Sequence, residues 1–190
     1  MNLLGREIGR SHPFFLIAGP CVIESRQAVL EVAAALREIC DRLDILLIFK
    51  SSFDKANRTA SESYRGPGLS EGLEILSEVR SSSGLPLLTD VHSVDQVSAV
   101  ASVVDILQTP AFLCRQTDLI QAVAASGKPV NIKKGQFMSP AQMQPVITKL
   151  TESGADASGV MLTERGTFFG YGRLVSDFVG TADVLEMGWP

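Results

Sequence analysis

Ile45-Leu-Leu-Ile-Phe-Lys50-Ser-Ser-Phe-Asp-Lys55-Ala-Asn-Arg58-Thr-Ala-Ser-Glu-Ser-Tyr-Arg65-Gly-Pro-Gly-Leu69 opens on five apolar residues and closes on cations, hydroxyls and glycines. The apolar run reads as a strand buried on both faces, as in a parallel sheet. Lys50, Lys55, Arg58 and Arg65, interleaved with Ser51, Ser52, Asn57 and Thr59, come where that strand ends. Lysine offers a point charge, arginine a planar fork, and the hydroxyls and amide neutral hydrogen bonds. Together they suit an anionic, oxygen-rich ligand, whereas a solvated loop is the plainer alternative for such a stretch taken alone.

The pattern recurs. Phe14–Ala18, Leu85–Leu88, Val103–Leu107, Val130–Ile132 and Val160–Leu162 are further short apolar runs. They lead into Gly-Pro-Cys21-Val-Ile-Glu24, Asp90-Val-His92, Gln108 through Arg115-Gln116, Lys133-Lys134-Gly-Gln136 and Glu164-Arg165. Between them lie helical spacings. Val29, Val32, Ala33, Leu36 and Ile39 share one face, as do Leu73, Leu76 and Val79 on a helix that Ser70 is expected to cap. Ser93 with Gln96 and Ser139 with Gln142 have capping-box spacing, with Pro140 suited to a first helical position. Gly127 and Gly154 stand where helices should stop. Pro145 predicts a kink or a later helix start.

Strand alternating with helix implies right-handed βαβ units around a parallel sheet. An open doubly wound sheet of the dinucleotide type should carry Gly-x-Gly-x-x-Gly after a strand, and this sequence has none. Polar groups at the exit of every run are instead what a (β/α)₈ barrel of the TIM type requires. About six βα units are present in residues 1–190, read as one incomplete barrel domain; a closed barrel needs eight. Six units alone would leave two strand edges without partners.

Composition narrows the partners. With 17 basic against 21 acidic residues the net charge is −4, so the chain as a whole attracts neither nucleic acid nor anionic membrane. No apolar run approaches the roughly 18 residues of a membrane span, and Met1 to His12 lacks a signal-peptide core. Three cysteines, an odd and sparse set, point to a reducing compartment and hence to the cytoplasm.

Seven motifs in order resemble the 3-deoxy-D-manno-octulosonate 8-phosphate synthase family. They are Ala-Gly-Pro-Cys-Val-Ile-Glu-Ser (18–25), Phe-Lys-Ser-Ser-Phe-Asp-Lys-Ala-Asn-Arg-Thr (49–59), Tyr-Arg-Gly-Pro-Gly-Leu (64–69), Thr-Asp-Val-His (89–92), Pro-Ala-Phe-Leu-Cys-Arg-Gln-Thr-Asp-Leu (110–119), Lys-Lys-Gly-Gln-Phe (133–137) and Glu-Arg-Gly-Thr-Phe-Phe-Gly-Tyr (164–171). The resemblance implies a barrel enzyme, a homotetramer, that condenses phosphoenolpyruvate with D-arabinose 5-phosphate and water. It further implies that these 190 residues are a fragment or shortened product lacking a C-terminal third, with a non-catalytic remnant as the alternative. A sister enzyme, 3-deoxy-D-arabino-heptulosonate 7-phosphate synthase, is a second alternative. It typically has Lys-Pro-Arg-Thr where this chain has Lys55-Ala-Asn57-Arg58.

Carried over by position, Lys50, Lys133 and Arg165 would hold phosphoenolpyruvate, with Ser52, Gln108, Gln136 and the backbone of Ala111 and Phe112 completing that pocket. Lys55, Asn57, Arg58 and Thr59 would meet the pentose phosphate, and Arg115 would reach its phosphate from a neighbouring subunit. Asp90 would bond the sugar hydroxyls. Lys50, Lys55, Asn57, Asp90, Lys133 and Arg165 form the implied catalytic set. Cys21 after Gly-Pro marks the family's metal-dependent class, with zinc, iron or manganese as the expected divalent ion; a buried core thiol is the other reading of Cys21. The family's other ligands, a His, a Glu and an Asp, come from strand ends seven and eight and the loop after them, outside these 190 residues, so a competent metal site in this chain is not expected. His92 either faces the sugar or caps its strand. Cys40 and Cys114 read as packing, and Glu24 and Glu164 as anchors for neighbouring lysines.

Overall fold

In a computed structural model of the protein, residues 2–9 and 11–190 are described. A short hairpin comes first, β1 (Asn2–Leu3) and β2 (Arg6–Glu7), paired antiparallel. Strands and helices then alternate: β3 (Phe15–Ala18), α1 (Arg26–Arg42), β4 (Leu46–Lys50), α2 (Leu69–Ser83), β5 (Leu87–Asp90), α3 (Val94–Val103), β6 (Ile106–Thr109), α4 (Thr117–Ala125), β7 (Val130–Lys133), α5 (Gln144–Glu152) and β8 (Val160–Thr163). A second hairpin, β9 (Thr167–Phe168) and β10 (Leu174–Val175), precedes α6 (Phe178–Glu186).

Strands β3 to β8 form one parallel sheet in strict chain order. A doubly wound sheet reverses its strand order at a switch point, and no reversal occurs here. The sheet is therefore a curled, partial barrel of six βα units, with β3 and β8 at its edges.

Strand alternation sorts the core into two layers. Leu47, Phe49, Leu87, Leu107, Val130, Ile132 and Val160 face outward and pack with Val29 and Ala33 of α1, Leu76 and Val79 of α2, Val100 of α3, Val123 of α4 and Leu150 of α5. Their neighbours Ile48, Leu88, Ile106 and Met161 face inward, joined by Phe15 and Ile17 and covered by Leu3 and Ile8. The N-terminal hairpin is thus a plug for the interior.

Sequence expectations hold for all six strands, with local shifts. Val103 belongs to α3 rather than to a strand, and β6 starts at Ile106. Asp105 sets that boundary by accepting from Leu87 N at 2.7 Å and from both Arg80 terminal nitrogens at 3.1 and 2.8 Å. Gly68, not Ser70, caps α2; its φ of 89° lies in the left-handed region that favours glycine. On α1 the buried face is Val29, Ala33 and Cys40, while Val32 and Ile39 are exposed at its margins. Ser139 and Gln142 form the capping box around a 3₁₀ turn, and the later helix start resolves Pro145, which sits in the first turn of α5. Ser93 caps α3 without a side-chain bond; Gln96 accepts instead from the backbone N–H of His92.

Leu3 is fully buried and its neighbour Leu4 is 40% exposed. Leu3→Ala should therefore lower unfolding free energy by about 2–4 kcal/mol in a denaturant titration. Leu4→Ala should stay within about 0.5 kcal/mol. Equal effects would mean that the hairpin does not plug the interior.

Candidate active site

Strands β4 to β8 each present a polar side chain to the same interior, four of them two residues beyond the inward apolar layer. Ile48 is succeeded by Lys50, Leu88 by Asp90, Ile106 by Gln108 and Met161 by Thr163, while Asn131 occupies the inward position of β7 between outward Val130 and Ile132. Register confirms the row: Asp90 pairs with Gln108, and Gln108 with Asn131.

These side chains bond in sequence. The Lys50 ammonium donates to the Ser52 hydroxyl at 2.8 Å and to the Cys21 carbonyl at 3.2 Å, and Lys55 donates to the same Ser52 hydroxyl at 2.8 Å. Ser52 in turn donates to Asp90 Oδ2, and Gln108 Nε2 donates to Asp90 Oδ1. Asn131 Nδ2 donates to Gln108 Oε1 at 2.9 Å, and the Thr163 hydroxyl donates to Asn131 Oδ1 at 2.8 Å. Lys50 and Lys55 also lie 3.6 and 3.8 Å from Asp90 Oδ2.

The loop after β4 reaches this layer through close backbone packing. A Cβ on Gly19 would lie 2.1 Å from the Lys50 carbonyl oxygen, so only glycine lets the β3 exit approach β4 there. Ser51 donates to the Pro20 carbonyl at 2.9 Å, and Thr89 to the Ser51 carbonyl at 2.7 Å. Arg65 forms a two-point pair with Asp54, and Lys55 N donates to Arg65 O, which closes the loop on itself. Arg65 is thereby a loop clamp rather than a ligand cation.

The electrostatics of the layer are set by this geometry. Burial lowers the Lys50 ammonium to about 8; Asp90 opposes that, while Lys55 and Lys133 add to it. Burial would raise the Asp90 carboxyl, yet Lys50 and the Ser52 and Gln108 hydrogen bonds outweigh it and bring it to about 2. His92 is lowered chiefly by burial. Its ring meets Phe53 edge-on at 5.6 Å, and its Nδ1 is buried without a partner.

The other sequence-predicted residues divide by position. Lys133 lies at the inner end of β7 opposite Thr163 and makes no side-chain hydrogen bond among the described residues, yet its charge is felt at Lys50 and Asp90. Gln136 is 3% exposed, and its Oε1 has no partner. Ala111 is buried at the start of the 3₁₀ turn after β6, with Phe112 and Arg115 exposed on and just after it. Asn57, Arg58 and Thr59 are exposed on the loop, where Arg58 Nε donates to the Tyr64 carbonyl at 3.3 Å. Arg165 is exposed beyond β8. Of the buried orphan atoms, His92 Nδ1 and Gln136 Oε1 lie just past the exits of β5 and β7, where a polar ligand or water would satisfy them, whereas Thr109 Oγ1 lies on the outward face of β6.

Sequence reasoning missed Asn131, Thr163 and Lys134. The signal for Asn131 was available: an amide flanked by Val130 and Ile132 in a buried strand is out of place unless it bonds inward. Lys134 is only 2% exposed, turned away from its neighbour Lys133, and held by Glu164 at 3.3 Å and the Met138 carbonyl at 3.0 Å. Glu164 also accepts from the backbone N–H of Arg165 and Gly166. Its anchoring role holds, whereas Glu24 is exposed with no ion pair among the described residues. Cys40 and Cys114 are buried and Cys21 is exposed, so Cys21 is not a core thiol. Among the described residues no three His, Cys, Asp or Glu side chains gather to hold a metal ion. Cys21 alone does not fit a divalent metal, and no catalytic step is assigned to one.

A parallel βα sheet in strict chain order, with a buried polar layer of lysines around one carboxylate at its strand exits, defines a class: the partial (β/α) barrel. The sequence model described as the DAHP synthetase I family matches residues 4–188, and the chain belongs to that family. Over all 190 residues it is 58% identical to the 2-dehydro-3-deoxyphosphooctonate aldolase of Aromatoleum aromaticum and 56% identical to that of an Azoarcus species, covering 68% of each. Identity to the protein of the same name from Acidithiobacillus ferrooxidans is 57%, with 67% of it covered.

Two groups of the layer fix the sign of the pH dependence. Asp90 titrates below the ordinary 3.8, so its contribution of about 2 kcal/mol is present above pH 4 and lost as pH falls toward 2. Lys50 titrates below the ordinary 10.5, so stability rises again between about pH 8 and 10.5. Denaturant titrations from pH 2 to 10.5 should show both limbs, a loss of stability below pH 4 and a rise between about pH 8 and 10.5. A profile flat between pH 8 and 10.5 would contradict a buried Lys50 held below its ordinary value.

Proposed function

We propose that this chain acts as a 2-dehydro-3-deoxyphosphooctonate aldolase, joining the methylene carbon of phosphoenolpyruvate to the aldehyde of D-arabinose 5-phosphate. Water enters at C2 of phosphoenolpyruvate, and inorganic phosphate leaves. The observation that carries this reading is the inner layer in which Lys50, Lys55 and Lys133 converge on Asp90, in a chain more than half identical to proteins of that name.

Phosphoenolpyruvate brings a carboxylate and a phosphate close together, and one cation cannot match both. Lys50 of β4 and Lys133 of β7, whose charge is felt at Lys50 across the interior, with Arg165 beyond β8, supply the set. Ser52, Gln108, Gln136 and the Ala111–Phe112 backbone complete the pocket with neutral donors and acceptors. The partnerless Gln136 Oε1 supports a ligand at that point. As the methylene attacks the aldehyde, positive charge grows at C2; fixed groups that need not reorganise stabilise it best. Asp90 faces the sugar hydroxyls, and Lys55, Asn57, Arg58 and Thr59 take the pentose phosphate side. Each charge-assisted bond removed costs roughly 1.5–3 kcal/mol.

Exposure of Phe112 and Arg115 after β6 supports a subunit contact there, in keeping with a homotetramer in which Arg115 serves a neighbour's site. Among the described residues no helix is long and apolar enough to cross a membrane. Action on small phosphorylated substrates in the cytoplasm is part of this reading. No observation favours the heptulosonate synthase or a remnant without turnover.

Phosphate release from phosphoenolpyruvate, assayed with arabinose 5-phosphate and with erythrose 4-phosphate, tests the reading. Lys55→Ala and Arg58→Ala should raise KM for the pentose phosphate more than about tenfold, the equivalent of one lost charge-assisted bond, and leave that for phosphoenolpyruvate within about threefold. No release, or equal effects on both substrates, would contradict it.

A further inference from the structure

Asp90 does not end the polar layer; behind it stand two carboxamides and a hydroxyl that touch neither lysine. A carboxamide is nearly symmetric in shape but not in chemistry, since one end donates and the other accepts. An ionised carboxylate only accepts, so Gln108 must turn its NH₂ toward Asp90 and its oxygen toward β7. Asn131 then answers with its own NH₂ at 2.9 Å, which leaves its oxygen for the Thr163 hydroxyl at 2.8 Å. The whole belt runs in one direction. Its reverse is also self-consistent: Thr163 accepts, both amides turn over, and the Gln108 oxygen faces Asp90. That arrangement requires a proton on Asp90.

We propose that Asn131 is a positioning residue that holds the Gln108 carboxamide with its donor end toward Asp90, and so keeps Asp90 an acceptor-only carboxylate beneath the substrate. This rests on the proposed function only in placing substrate over Asp90. The belt is well suited to the task because Asn131 is 2% exposed and Gln108 equally buried, so water cannot substitute for either bond. Charged or titratable groups facing Asp90 from the surrounding elements are Lys50 of β4, Lys55 of the next loop, Lys133 of β7 and His92 after β5. Among the described residues none of them hydrogen-bonds to either amide, so the amide direction is set within the belt.

Asn131→Asp tests this, because it replaces the NH₂ that answers Gln108 with a second acceptor. Carboxyl-carbon NMR of the full chain tracks Asp90 itself, and calorimetry with phosphoenolpyruvate tracks the site; neither requires turnover. The proposal expects the Asp90 midpoint to rise by two or more pH units in Asn131→Asp, and phosphoenolpyruvate affinity to become pH-dependent between pH 5 and 7.5. An Asp90 midpoint unchanged from wild type, with only the new carboxyl titrating, would overturn it. Should Asn131→Asp fail to fold, Asn131→Ser and Asn131→Leu decide. Serine keeps a donor for Gln108 and should retain affinity within threefold, while leucine keeps bulk alone and should lose tenfold or more. Equal outcomes for the two would overturn the proposal. Wild-type chain that binds no phosphoenolpyruvate would sink the functional reading and leave the Asp90 titration to judge the belt.

Discussion

A carboxylate shut inside a protein has to be matched on every side, and the Asp90 environment is built around that requirement. Two lysines reach it through one shared serine hydroxyl and an amide closes the remaining oxygen, so the charge is kept rather than neutralised. The same arrangement keeps Lys50 charged in a place where burial works against it. Each helps to hold the other ionised against burial. The pair, with Lys55 and Lys133 nearby, leaves a local excess of positive charge in a chain whose net charge is negative.

That chemistry is delivered by the simplest property of a strand, its twofold alternation. One register of each strand fills the space under the helices; in β4, β5, β6 and β8 the other gives first an apolar residue and then, two positions on, a polar one, and in β7 it is polar throughout. Because β4 to β8 lie in chain order, the polar residues form a continuous row instead of scattered sites. The N-terminal hairpin closes the apolar end of that interior with Leu3 and Ile8, opposite the polar end. Glycine at position 19 and the Arg65–Asp54 clamp bring the loops at the open end into contact with the row.

How much of this was legible depends on range. The six strands, the barrel-type order and the gathering of Lys50, Lys55, Asp90, Gln108 and Lys133 could be read from apolar runs and the polar residues at their exits. The hairpin could not, since two-residue strands carry no period. Asn131 was passed over because it interrupts a run instead of ending one, and Lys134 because two adjacent lysines look alike until alternation sends them to opposite sides. Arg65 looked like a ligand cation, but its partner Asp54 is eleven residues away in sequence and meets it only when the loop closes. The register between strands, which makes the belt continuous, exists only in three dimensions.

The central claim is that Asp90 holds Lys50 in its charged form within a buried polar layer. Asp90→Asn preserves shape and removes only that charge, so nitrogen-detected NMR of the Lys50 ammonium across pH 5 to 10 tests it most directly. The account predicts that the Lys50 midpoint drops from about 8 to well below it. A midpoint that stays where it was, or climbs, would contradict the account.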